Sequence, residues 1–227
     1  MSLAIPLRNI QNKISKAAQA SGRRVEDIKI LAVSKNVSVE LIREAFALGV
    51  RDFGENYVQE VLAKKDLLQD LDIHWHFIGH LQSNKVKNIA GEFEAIHSVD
   101  RLKIAKEISI RSEQLQNIFI EVNLANEESK SGCSEQDLPQ LLCEIQSLEN
   151  LRIKGLMFMA PLNLSVQQQH VFYQRARKLR EAHEKNVSSP HSLLELSMGT
   201  SHDFEVAIRE GATIVRLGTV LFGERKY

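Results

Sequence analysis

Cysteine is nearly absent from this 227-residue chain, which has only Cys133 and Cys143, and their spacing suits no metal site. Both are expected as reduced thiols, Cys133 beside a glycine in a loop and Cys143 as a small core residue inside an amphipathic pattern. An excess of either charge is also missing. Lysine plus arginine number 29 against 29 aspartate plus glutamate, which removes the main reason to expect a nucleic-acid or acidic-membrane partner. No apolar run approaches the roughly 20 residues of a membrane helix, and the opening Met-Ser-Leu-Ala-Ile-Pro is too short and too quickly polar for a signal peptide. A soluble, cytoplasmic protein is expected. Linkers rich in proline, glycine or serine, low-complexity tracts and internal sequence repeats are lacking too, so residues 1–227 are expected to form one domain.

What the chain does contain is a short apolar run that ends on a cation, Lys29-Ile-Leu-Ala-Val-Ser-Lys35. Ile30, Leu31, Ala32 and Val33 suit a strand buried on both faces, which places Lys35 at its carboxyl end. A lysine there keeps its ammonium near water, pairs it, or gives up its proton and becomes a nucleophilic amine. The first of these makes Lys35 an ordinary solvated loop residue. The last is the chemistry of Schiff-base formation.

Around that run the pattern is regular. Leu7, Ile10, Ile14, Ala17 and Ala18 recur at helical spacing and predict a helix ahead of the first strand. Ser38 can cap a helix carrying Leu41, Ile42, Ala45 and Phe46 that stops at Gly49. Further strands are expected at residues 50–54, 74–78, 94–98, 117–123, 151–159, 193–197 and 213–217. Helices are expected at 56–71, 83–90, 101–114, 138–148, 166–183 and 203–209. Eight strand–helix units with short loops predict a closed (β/α)8 TIM barrel of the α/β class. The competing architecture is an open doubly wound sheet. In the barrel, Lys35, Asn56 and the segments after strands seven and eight share the rim where such folds place their chemistry.

Two glycine-bearing segments stand there: Ser197-Met-Gly-Thr-Ser201 and Arg216-Leu-Gly-Thr219. Glycine lets backbone N–H groups approach a ligand, hydroxyls add donors, and Ser201 precedes a helix start that favours an anion. The alternative is a pair of ordinary turns with a helix cap. In a closed barrel these segments adjoin the first strand, and an amine plus a phosphate cradle across one mouth describes pyridoxal 5'-phosphate (PLP).

Leu31-Ala-Val-Ser-Lys35, Phe53-Gly-Glu-Asn-Tyr57, Trp75-His-Phe-Ile-Gly-His-Leu-Gln82, Ser197-Met-Gly-Thr-Ser201, Val215-Arg-Leu-Gly218 and Phe222-Gly-Glu-Arg225 resemble, in order and over nearly the whole chain, the pyridoxal-phosphate homeostasis protein family. That resemblance implies a fold-type III PLP-binding barrel like the N-terminal barrel of alanine racemase without its C-terminal β domain. It implies that Lys35 carries the cofactor as an internal aldimine, that Ser201, Gly218 and Thr219 hold the phosphate, and that Arg216 faces the pyridine nitrogen. Asn56 matches the family's asparagine near the cofactor, and Ser197, Met198 and Gly199 match the strand-seven turn. Thr200 departs from the pattern, since many members have a second methionine there. The family binds PLP and regulates its supply and amino-acid balance without established catalysis.

The residues agree with that role: Arg216 is a permanent cation that disfavours a protonated ring, and Lys35 is the only base assigned. No catalytic residue is assigned. Two alternatives are a weak PLP-dependent racemase or lyase, and a cofactor-free Schiff-base aldolase. Apo-PLP enzymes are the implied partners, and a monomer is expected because the racemase's dimer contacts lie in the missing domain. His74 and His76 share a strand face with His80 following, yet a metal is not assigned and His80 reads as a rim hydrogen-bonder. Lys64, Lys65, Lys85 and Lys87 read as a solvated basic surface. The polar loop at residues 127–132 gates the mouth or is simply mobile. Met157 and Met159 read as barrel filling.

Overall fold

The computed structural model describes residues 2–127 and 130–224. Eight strands close into a parallel barrel in chain order, with the last pairing back onto the first. They are β1 (Lys29–Val33), β2 (Asp52–Glu55), β3 (His74–Phe77), β4 (Ala95–Val99), β5 (Gln116–Val122), β6 (Leu151–Phe158), β7 (Glu195–Ser197) and β8 (Ile214–Leu217). The helices are α1 (Ala4–Ala20), α2 (Val39–Ala47), α3 (Val58–Leu67), α4 (Leu102–Arg111), α5 (Leu138–Gln146), α6 (Val166–His183), α7 (Phe204–Arg209) and α8 (Thr219–Phe222). The expected barrel with an extra leading helix is borne out: α1 buries the predicted stripe of Leu7, Ile10, Ile14, Ala17 and Ala18 and packs on α7 and α8.

A strand covered by helices outside and side chains inside has no polar face. Accordingly every residue of β4 is buried, and all of β5 except Asn117. The main core lies between barrel and helices, and a second apolar cluster of Leu31, Ala95, Phe119, Met157 and Ile214 fills the barrel itself. Among the described residues no helix is long and apolar enough to cross a membrane.

Several sequence expectations need correction. Residues 83–90 do not form an α-helix but a 3-10 turn over Ser83–Asn88, and β7 begins at Glu195 instead of residue 193. Cys143 is exposed and Cys133 is the buried thiol. On α5 the inward stripe is Leu138, Leu141, Leu142 and Ile145, and a helical period places residue 143 on the outer side. Burial and nearby carboxylates push the Cys133 thiol up to about 12, which makes it inert.

Lys64 is also not a surface residue. It is 6 % exposed, and its ammonium meets Glu55 Oε1 at 2.8 Å, Glu60 Oε1 at 2.7 Å and the Ser34 carbonyl at 2.6 Å. Glu55 is fully buried and needs that cation.

Candidate functional site

The turn after β1 is held on both sides of Lys35. Ser34 continues the ladder by donating its N–H to the Gly54 carbonyl at 3.0 Å, and its own carbonyl accepts from Lys64. Asn36 takes a left-handed φ of 58°, a conformation asparagine tolerates, and donates its N–H to Glu60 Oε1 at 2.6 Å. Lys64 bridges Glu55 and Glu60, so one buried ion cluster ties the residues before and after Lys35 to β2 and α3. Lys35 itself is half-buried and faces a cavity of about 210 Å³ at the carboxyl end of the barrel.

Asn56, Ser201, Arg216, Gly218 and Thr219 line the same cavity. Asn56 follows β2, and its Oδ1 is a buried acceptor that no donor reaches among the described residues. Its backbone runs so close to Gly79 that a Cβ at position 79 would collide with the Asn56 carbonyl, which fixes glycine there. On the far side, Ser201 Oγ accepts from the backbone N–H groups of Gly218 at 3.2 Å and Val220 at 3.3 Å. Two amides and a hydroxyl therefore converge at one edge. At the start of α7 the N-cap position holds a carboxylate, Asp203, which accepts the Thr200 N–H at 2.6 Å and hydroxyl at 3.0 Å and caps no helix N–H with its side chain. The Gly218 and Val220 amides meet at the Ser201 hydroxyl, away from that helix end.

Arg216 is 4 % exposed, and both of its terminal nitrogens have partners. One terminal nitrogen donates to the Ser197 carbonyl at 2.6 Å and hydroxyl at 2.9 Å. The other donates to the Phe158 carbonyl at 2.7 Å and lies 2.8 Å from Met159 Sδ. These contacts hold the guanidinium plane at the cavity floor.

Ser197, Met198 and Gly199 do not line the cavity. Ser197 is fully buried beneath Arg216, and Met198 points outward into the main core. Gly199 has a φ of +91°, and a Cβ there would lie 2.6 Å from Ala207 Cβ and 3.0 Å from Phe204 Cα, so it serves the packing of α7.

Val33, Ile78, Met159, Thr200 and His202 complete the lining and escaped sequence reasoning as site residues. Strand alternation points to two of them, since Val33 shares a face with Lys35 and Ile78 with His76. Met159, expected as filling, stands one residue past β6 and is 42 % exposed, whereas Met157 is inside the barrel. Glu121, on the inward face of β5, is a buried carboxyl that burial and Asp100 push up to about 7.

The loop after β5 is tied down where it is described. Ser131 Oγ lies 2.7 Å from His80 Nδ1, and Lys130 Nζ donates to the Ala160 carbonyl at 3.1 Å. Glu128 and Ser129 of that loop, and Arg225 of the last glycine motif, lie outside the described residues.

Comparison with known proteins gives the same geometry a family. The family described as alanine racemase, N-terminal domain, matches residues 5–226. The pyridoxal phosphate homeostasis protein of Pseudomonas aeruginosa is 46 % identical over 100 % of this chain and 97 % of its own. That of Aquifex aeolicus is 45 % identical over 97 % of both chains. Among solved structures, Synechococcus elongatus PipY with PLP bound superposes with a TM-score of 0.81 at 37 % identity, covering 92 % of this chain and 100 % of PipY. Identity of that order along the full barrel makes this chain a member of the pyridoxal phosphate homeostasis family, built on the alanine racemase N-terminal fold.

Proposed function

We propose that this protein binds PLP at the barrel mouth through Lys35 and serves the homeostasis of that cofactor and of amino acids, without turning over a substrate of its own. One observation carries the reading: Lys35 at the end of β1 and the Ser201, Gly218 and Thr219 set behind β7 and β8 line a single cavity. The residues suit the ligand. Asn56 offers an unsatisfied acceptor, the Ser201 oxygen held by two backbone amides leaves its O–H to donate to a phosphate, and the cavity volume is that of a small ring compound.

Bound PLP supplies an aldehyde that a lysine amine can condense with and a ring that draws electrons from its substituents. Lys35 would tether it, with its backbone held by Lys64 and Glu60. Ser201, steadied by the Gly218 and Val220 amides, and the backbone at Gly218 and Thr219 would hold the phosphate. Arg216, a donor-only cation, would donate to the ring nitrogen and disfavour a proton there, which weakens electron withdrawal. That, together with relatives named for homeostasis and not for a reaction, supports holding over catalysis. Apo-PLP enzymes are the partners this role calls for, and a cytoplasmic monomer is part of the reading.

Titration of the purified protein with PLP should raise a visible absorbance band that borohydride abolishes, fixing the label on Lys35. Lys35→Ala should show neither. A wild-type protein that stays colourless, or a label spread over other lysines, overturns the reading. Faster reactivation of an apo-enzyme by the loaded protein than by equal free PLP would identify delivery.

A further inference from the structure

Beneath Arg216 a line of buried polar side chains crosses the barrel interior. Arg216 donates to Ser197 Oγ at 2.9 Å, and Ser197 Oγ lies 2.9 Å from His97 Nδ1. His97 Nε2 is 3.0 Å from His76 Nδ1, and His76 Nε2 is 3.0 Å from Asp52 Oδ1. Ser197 and His97 are fully buried and His76 is 2 % exposed. The line ends at the opposite rim, where Lys29 meets Asp52 Oδ1 at 3.0 Å.

Its ends fix every proton between them. A guanidinium only donates, and an ionised carboxylate only accepts. Burial works against the Asp52 charge, but hydrogen bonds from His76 and Lys29 outweigh it and hold the carboxyl at about 2. His76 must then carry its proton on Nε2 and accept at Nδ1. His97 must likewise donate from Nε2 and accept the Ser197 hydroxyl at Nδ1. Burial keeps both rings neutral, acting first in each case. Four hydrogen bonds thus share one direction, and the Ser197 oxygen is left with a lone pair aimed at Arg216. Phe119 stacks on His97 with ring centroids 4.2 Å apart, which holds that ring in plane.

We propose that Asp52, His76, His97 and Ser197 are positioning residues: a one-way hydrogen-bond relay, anchored at the base of the barrel, that sets how Arg216 presents its donors to the mouth. The relay belongs to the chain's own residues. Only its recipient, the ring nitrogen of PLP, rests on the function proposed above.

The test begins without any ligand. Long-range proton–nitrogen correlation spectra of the ¹⁵N-histidine-labelled protein at neutral pH should show His76 and His97 as neutral Nε2–H tautomers. Asp52→Leu, which removes the acceptor of His76 and a partner of Lys29 but touches neither His97 nor Ser197, should move both rings together toward Nδ1–H, and Asp52→Glu should restore them. A wild-type ring found as Nδ1–H or as imidazolium, or His97 signals indifferent to Asp52→Leu, overturns the relay. If Asp52→Leu does not fold, the wild-type tautomers and Ser197→Ala, which should release His97 but spare His76, decide the matter.

With PLP added, Ser197→Ala should weaken binding about tenfold and Asp52→Leu about threefold, the scale of losing one and part of one orienting hydrogen bond. The protein-only spectra stand or fall independently of PLP binding, so failure of one reading is distinguishable from failure of the other.

Discussion

The two sides of the barrel are built differently. β5 and β6 pair over seven residues, from Gln116 against Leu151 to Val122 against Phe158. Two strands further round the barrel, β7 and β8 share a single register pair, Ser197 against Ile214. On that side backbone groups find partners beyond the ladder: the Arg216 N–H reaches the Gly199 carbonyl at 2.9 Å, and the Leu196 N–H takes the Thr213 hydroxyl at 2.8 Å. The long-paired arc carries stability through backbone regularity and apolar contact. The short-paired arc, together with β1 and β2, relies on charged and hydroxyl side chains, and its early strand ends leave room for the cavity.

The sharpest way to break this contrast is to remove one group from each side. Lys64→Ala leaves Glu55 buried beside no cation and should cost about 3–5 kcal/mol at neutral pH, as uncompensated buried charges do. Denaturant unfolding should show that deficit shrinking in acid, where Glu55 takes up a proton, and the PLP affinity of the remaining folded protein should fall as well. Ile153→Ala, at a fully buried position of β6, should cost about 2–4 kcal/mol by leaving a cavity and should leave that affinity unchanged.

A smaller effect separates the two sides by pH. Glu121 titrates at about 7 in the fold against an ordinary 4.5. A carboxyl raised in the folded state supports the fold below its unfolded value, and that support is lost as pH rises through the folded value. Wild-type stability should therefore decline between about 4.5 and about 7 by on the order of 3 kcal/mol. Glu121→Gln should flatten that slope in unfolding free energies measured across the same interval. The smallest change is expected at the exposed Cys143, where Cys143→Ser should shift stability by no more than about 0.5 kcal/mol.

The barrel was legible because its alternation of short apolar runs and amphipathic helices leaves few other architectures, and Lys35 because a cation at the end of such a run is conspicuous. What stayed hidden depends on contacts between distant elements. Lys64 carries the charge of a solvated helix residue, and only the carboxylate of Glu55, on β2, turns it inward. Met159 shares strand parity with Met157 but stands past the point where the ladder stops. His97 lies in a strand buried throughout, where periodicity does not say which face meets the axis, so its bonds to His76 and Ser197 required the closed barrel. Cys143 stands inside an apolar pattern, and only the phase of α5 against the barrel shows that the inward stripe avoids it.

The clamps on either side of Lys35 carry a mechanical consequence. With the carbonyl of Ser34 and the amide of Asn36 both moored to α3, the main chain at position 35 is a fixed post. An aldehyde condensed there would swing on a four-carbon tether and would leave by hydrolysis or amine exchange of the imine, with the main chain held still. Loaded and empty forms should then superpose at this turn, and exchange of cargo should require no rearrangement of the surrounding staves.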